Sequence, residues 1–178
     1  MILEKGLVQV YTGNGKGKTT AAVGLGIRAL GNGLKVIMIQ FLKSGNTGEL
    51  NIINTLGDNF KVYRFEKEKD FTWNLTEEEK QELEREINEG FDFAKEVIKE
   101  RKCDLLILDE VMAAINLGYI KEADVIRLLE SKDEHMEIVL TGRNVPKGIA
   151  EKSNLITEMR DVKHYFNDGI GARKGIEY

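Results

Sequence analysis

The run Val8-Gln9-Val10-Tyr11-Thr12-Gly13-Asn14-Gly15-Lys16-Gly17-Lys18-Thr19-Thr20 limits the fold more than any other part of the chain. An apolar strand passes into a glycine-rich turn that ends in Gly-Lys-Thr-Thr. Phosphate oxygens are held where backbone N–H groups converge, and glycines at Gly13, Gly15 and Gly17 let a chain curl that tightly. Lys18 supplies a point charge for phosphate, and the Thr19 hydroxyl is a candidate Mg²⁺ ligand. Asn14, Lys16 and Thr20 complete the candidate ATP-binding loop. A helix is expected to follow through Ala21, Ala22, Leu25 and Ala29, with the positive end of its dipole on the loop. The general spacing G-x-x-x-x-G-K-T places a first glycine at position 12, where this sequence has Thr12. The competing reading is a glycine-rich turn that binds nothing.

From this loop onward, strand and helix patterns alternate to the end of the chain. Apolar runs at 35–41, 61–65, 105–110, 137–141 and 155–160 read as strands, and helical signals lie between them. This is the pattern of an α/β fold whose mostly parallel central sheet is flanked by helices on both faces. Gly31-Asn32-Gly33 stops the first helix. Thr76-Glu77-Glu78-Glu79 is a capping box that opens a helix with a stripe at Leu83, Ile87, Phe91, Ala94 and Ile98. Residues 42–49 are polar and glycine-rich at the carboxyl end of a strand, which suits either a ligand-binding edge or a solvated connection. The tail after 162 reads as irregular.

Leu105-Leu106-Ile107-Leu108-Asp109-Glu110 delivers two carboxylates at a strand end, the arrangement that holds Mg²⁺ against bound phosphates. Either Asp109 or Glu110 suits the ion. Arg143 follows the next strand, where a guanidinium fits phosphate or ribose, or stands as a surface arginine. Phe71 and Trp73 are aromatics in a charged loop, and packing onto the following helix is the simplest local reading. Cys103, the single cysteine, reads as a buried structural thiol. His135 and His164 are isolated, and no zinc-type spacing occurs.

The length of 178 residues suits a single domain spanning 1–178, and the net charge of −4 argues against a protein that coats nucleic acid. A local basic groove stays open as an alternative. No signal peptide, membrane-length apolar run or lipidation motif is present, so the expectation is a cytoplasmic protein working without a membrane.

Taken together, residues 11–20, Phe71-Thr72-Trp73, Leu108-Asp109-Glu110, Thr141-Gly142-Arg143, Val162-Lys163-His164 and Gly175-Ile176-Glu177-Tyr178 closely resemble the P-loop type of ATP:corrinoid adenosyltransferase. The resemblance covers nearly the whole chain, and threonine at position 12 is itself a family trait. It implies a RecA-like fold, a homodimer, ATP with Mg²⁺ (or Mn²⁺), a Co(I) corrinoid as second substrate and a flavodoxin-like electron donor. It implies nucleotide contacts for Arg28 and Arg143, catalytic roles for Lys18 and Thr19, and corrinoid contacts for Phe71 and Trp73. Longer members carry an N-terminal segment that helps close the site, whereas here a few residues precede Leu7. Two rivals share the loop: a RecA-like ATPase acting on nucleic acid, which calls for a basic stripe and a water-activating group, and a regulatory module that binds ATP without chemistry.

Overall fold

The computed structural model describes residues 3–43, 45–67 and 74–178. Phe71 and Trp73 lie outside the described residues. In chain order the elements are β1 (Val8–Thr12), α1 (Lys18–Gly31), β2 (Val36–Gln40), α2 (Gly48–Ile53), β3 (Phe60–Tyr63), α3 (Glu77–Lys99) and β4 (Leu105–Asp109). They continue with α4 (Val111–Asn116), α5 (Glu122–Glu130), β5 (Glu137–Thr141), α6 (Lys147–Lys152) and β6 (Leu155–Glu158), then a 3₁₀ turn at Tyr165–Asp168.

The six strands form one sheet in the order β3-β2-β4-β5-β1-β6, and every pairing is parallel. Parallel strands require crossovers, and the helices provide them on both faces. Strand alternation sorts the side chains. Leu105 and Ile107 join a core with Ala22 and Ala29 of α1 and Ile53 of α2. Leu106 and Leu108 join the opposite core with Leu83, Ile87 and Phe91 of α3 and the apolar faces of α4, α5 and α6. With a side-chain period of two, Asp109 continues the odd series and faces α1. That parity decides where the site forms.

Several expectations are refined. The run 42–49 is not all connection, because Gly48 and Glu49 open the short helix α2. Helices α4 and α6 span six residues each, too short for a helical period to show in sequence. The third strand starts one residue earlier than its apolar run, at Phe60, and ends at Tyr63. The capping box is present: Thr76 Oγ1 accepts from Glu79 N–H at 3.2 Å and Glu79 Oε2 from Thr76 N–H at 2.8 Å. Cys103 is buried, and burial pushes its thiol up to about 12.

Glu66 is a buried carboxylate that follows β3. Its Oε1 accepts the Leu42 N–H at 3.1 Å, while Oε2 has no hydrogen-bond partner among the described residues. Burial raises its pKa, nearby Glu86 adds to the rise, and backbone N–H groups oppose it. A carboxyl raised in the folded state contributes stability below its unfolded pKa, and that contribution is lost as pH rises through the folded pKa. Glu66→Gln keeps an acceptor for Leu42 and removes the charge. Its thermal midpoint is therefore expected above wild type at about pH 8, with the gap closing at about pH 4. A constant gap across that range would show that charge is not the cause.

Candidate active site

The glycine-rich loop leaves β1 in extended geometry, and the left-handed positions fall on Gly13 (φ 100°) and Gly17 (φ 116°). Thr12 needs no glycine because it is still the last residue of the strand. Gly13 and Gly15 answer to a second constraint as well. A Cβ on Gly13 would stand 2.3 Å from the Met159 carbonyl oxygen, and one on Gly15 would stand 2.7 Å from it. Gly15 N–H donates to that same oxygen at 2.7 Å, so the loop is braced by the segment after β6. Gly17 then caps α1, whose first turn carries no acidic residue, leaving the positive end of the helix free of local neutralisation.

Lys18 folds back over the loop and donates to the Gly13 and Gly15 carbonyls at 2.7 and 2.8 Å. Burial lowers its pKa, with Arg143 and Lys43 acting the same way and Glu110 and Asp109 opposing. Below the loop lies Asp109, which is fully buried. Its Oδ1 accepts from Thr19 Oγ1 at 2.9 Å and Thr141 Oγ1 at 2.7 Å. Its Oδ2 accepts from Gln40 Nε2 at 3.0 Å and Lys43 Nζ at 2.6 Å. Gln40 is held in turn by Arg64 Nε at 2.7 Å, and Arg64 also reaches the Gly45 carbonyl and, at 3.1 Å, the Thr47 hydroxyl.

Above this network opens a pocket of about 750 Å³, lined by the loop, Lys43, residues 47–49, Glu110, Arg143 and the C-terminal residues 175–178. Glu110 starts α4 at a left-handed backbone (φ 61°), with its N–H on Thr141 Oγ1 at 2.8 Å. Arg143 is exposed at the pocket wall. Lys16 also lines the pocket, but its ammonium is engaged by the tail: Glu177 Oε1 at 2.8 Å, the Ile176 carbonyl at 3.1 Å and Tyr165 Oη at 3.3 Å. Hydrogen bonds from Arg173, Lys16 and Tyr165 hold the Glu177 carboxyl well below the usual range. Arg28 stands apart from these groups. It is exposed in the last turn of α1, about 15 Å along the helix from Lys18 at 1.5 Å per residue.

The match of a family model decides whose site this is. The model for ATP:corrinoid adenosyltransferase BtuR/CobO/CobP covers residues 4–178. The chain belongs to this adenosyltransferase family. A corrinoid adenosyltransferase from Sinorhizobium sp. is 37% identical over 181 residues, covering 98% of this chain and 81% of the relative. Those from Escherichia coli K12 and Salmonella typhimurium LT2 are 34% and 33% identical, each covering 98% of this chain and 87% of the relative. Among solved structures, a KaiC-like protein from Pyrococcus horikoshii superposes with a TM-score of 0.51 at 16% identity, covering 88% of this chain and 74% of that one. This last likeness concerns the fold alone, and it agrees with the RecA-like architecture.

For this adenosyltransferase-family chain, sequence patterns did not single out Gln40, Lys43, Arg64 or the Thr141 hydroxyl. Gln40 ends β2, Lys43 lies in the turn after it and Arg64 follows β3 to hold Gln40, while register brings Gln40 and Thr141 to Asp109. The β2–β4 ladder pairs Gln40 with Asp109, and Thr141 stands one step beyond the Leu108–Leu140 pair.

The loop geometry predicts a contrast between two glycines. Gly13→Ala meets both a left-handed backbone and the Met159 carbonyl, so urea unfolding should show a loss of at least about 1–2 kcal/mol. Gly24→Ala, in α1 with nothing within 4 Å of its added Cβ, should be neutral or gain up to about 1 kcal/mol.

Proposed function

We propose that the chain transfers the 5′-deoxyadenosyl group of ATP to the cobalt of a Co(I) corrinoid. The cobalt electron pair forms the Co–C5′ bond, the C5′–O bond breaks, and triphosphate leaves with that oxygen. The observation that carries the reading is the phosphate loop set over the buried Asp109–Thr19 pair, in a chain whose residues 4–178 match the family. Co(I) is a strong nucleophile and needs no general base, so the protein's tasks are alignment and neutralisation of the leaving group.

Lys18 and Arg143 are assigned to the triphosphate, and the free N–H groups at the start of α1 support them. Mg²⁺ (or Mn²⁺) suits the donor set. It is commonly held by one or two carboxylates together with phosphates and waters, and among the described residues no cluster of three His, Cys, Asp or Glu exists for a self-sufficient metal cage. Thr19 and Asp109 would hold it, and Glu110 at the pocket wall would orient a water beside it. When bound, the ion neutralises charge on the triphosphate. Phe71 and Trp73 are assigned to the corrinoid's lower face, the chain to one domain over 1–178, and the active form to a homodimer fed by a flavodoxin-like reductant. A reducing cytoplasm suits these partners, and no helix among the described residues is long and apolar enough to cross a membrane.

The test is incubation with ATP, Mg²⁺ and chemically reduced cobalamin. A photolabile alkylcobalamin spectrum together with triphosphate is expected, while orthophosphate released without corrinoid would favour the nucleic-acid ATPase. Lys18→Ala should lower kcat/KM about 10²–10³-fold with the far-ultraviolet dichroism unchanged, and near-normal turnover would defeat the assignment.

The paired aromatics separate two activities. Apolar side chains under the ring exclude the lower axial ligand and water, which leaves four-coordinate Co(II) easier to reduce. Phe71→Ala with Trp73→Ala should fail when a flavin reductant must reduce bound Co(II), yet retain transfer from preformed Co(I). Paramagnetic resonance of the Co(II)–ATP complex should lose its four-coordinate signal in that variant. Identical five-coordinate spectra in both proteins would return the aromatics to a packing role.

A further inference from the structure

Lys43 sits in the polar turn after β2, where no motif marks it. The backbone turns sharply at Leu42 (φ 55°), and the Lys43 ammonium comes to rest beneath the phosphate loop. Its Nζ lies 2.6 Å from Asp109 Oδ2 and 2.9 Å from Thr19 Oγ1. These are the two groups assigned above to the divalent cation, and the inference rests on that assignment. Thr19 gives its proton to Asp109 and one of its two lone pairs to Lys43, so the ammonium takes up acceptor capacity that a cation would need.

A fully buried carboxylate needs a compensating cation. Thr19, Thr141 and Gln40 are neutral donors, so among the described residues Lys43 alone brings a formal positive charge into direct contact with Asp109. An ammonium and a divalent ion cannot share these oxygens, for reasons of space and of like charge over a few ångströms. The Lys43 side chain is 27% exposed and lines the pocket, so it can swing toward the pocket without movement of β2.

We infer that Lys43 is the resident counter-cation of the metal position. It neutralises Asp109 while no metal is bound, and it leaves for the pocket when metal and nucleotide arrive together. The released ammonium then faces the triphosphate, which offsets the loss of its carboxylate. Metal arriving without nucleotide offers no such exchange. Lys43 therefore acts as a positioning residue that couples metal entry to ATP entry.

The test is a Mn²⁺ titration of the full chain, followed by paramagnetic resonance, with and without ATP. Wild type should bind Mn²⁺ weakly alone and tightly with ATP. Lys43→Met should bind Mn²⁺ without ATP at least ten-fold more tightly than wild type. Its thermal midpoint should fall in chelator and recover toward wild type in Mn²⁺. Equal Mn²⁺ affinities without ATP, in proteins that both bind it with ATP, would overturn the inference and leave the metal assignment standing. A midpoint deficit of the same size in chelator and in Mn²⁺ would likewise reduce Lys43 to a structural ion pair. Failure of wild type to bind Mn²⁺ even with ATP would remove the metal assignment, and the inference with it. Should Lys43→Met not fold, Lys43→Gln, which keeps a neutral donor to Asp109, takes the same titration with the same two outcomes.

Discussion

One buried charge organises the site. Asp109 sits at the end of a central strand with no exposure, where an uncompensated carboxylate is destabilising by several kcal/mol. Its four partners come from separate pieces of chain: Thr19 from α1, Gln40 from β2, Lys43 from the turn after it, and Thr141 from the end of β5. Satisfying the one carboxylate therefore ties three segments together at the same sheet edge: the start of α1, the end of β2 with its following turn, and the end of β5. The phosphate loop is placed by this requirement as much as by its own glycines. Lys18 precedes Thr19, and the Thr19 hydroxyl is tied to Asp109.

Side-chain parity explains why these donors meet. Met38, Ile107 and Val139 all belong to the core beneath α1, and two residues further along each strand stand Gln40, Asp109 and Thr141. A period of two carries all three onto the same face at the same height. A one-residue slip in any of these strands would send its polar end into the apolar core against α3. Apolar burial along the strands and hydrogen bonding at their ends thus specify one register.

The parts of the site that were legible in the sequence are those written locally. The strand, the glycines, Lys18 and Thr19 are contiguous, and the Asp109-Glu110 pair follows its own apolar run. The rest depends on partners far apart in the chain. Gln40 lies 69 residues from Asp109, Lys43 lies 66, and Lys16 is tied to Glu177 across 161. No local pattern encodes such contacts. Glycine was legible as a residue type but only partly as a reason, since Gly13 and Gly15 are required by the Met159 carbonyl as well as by the curl of the loop. Arg28 shows the opposite case: its helix was plain, yet its distance from the loop depends on counting turns.

The two adjacent carboxylates show how backbone geometry divides their roles. Had β4 continued by one residue, Glu110 would have followed Leu108 into the apolar core against α3. Burying a carboxylate there without a partner is destabilising by several kcal/mol, whereas a left-handed backbone at a non-glycine residue costs about 1–2 kcal/mol. The smaller penalty wins. At φ 61° the chain leaves the sheet, Glu110 turns to the pocket wall, and its N–H meets the Thr141 hydroxyl that already serves Asp109. Strain at this residue follows from needing one carboxylate inside the sheet edge and the next outside it.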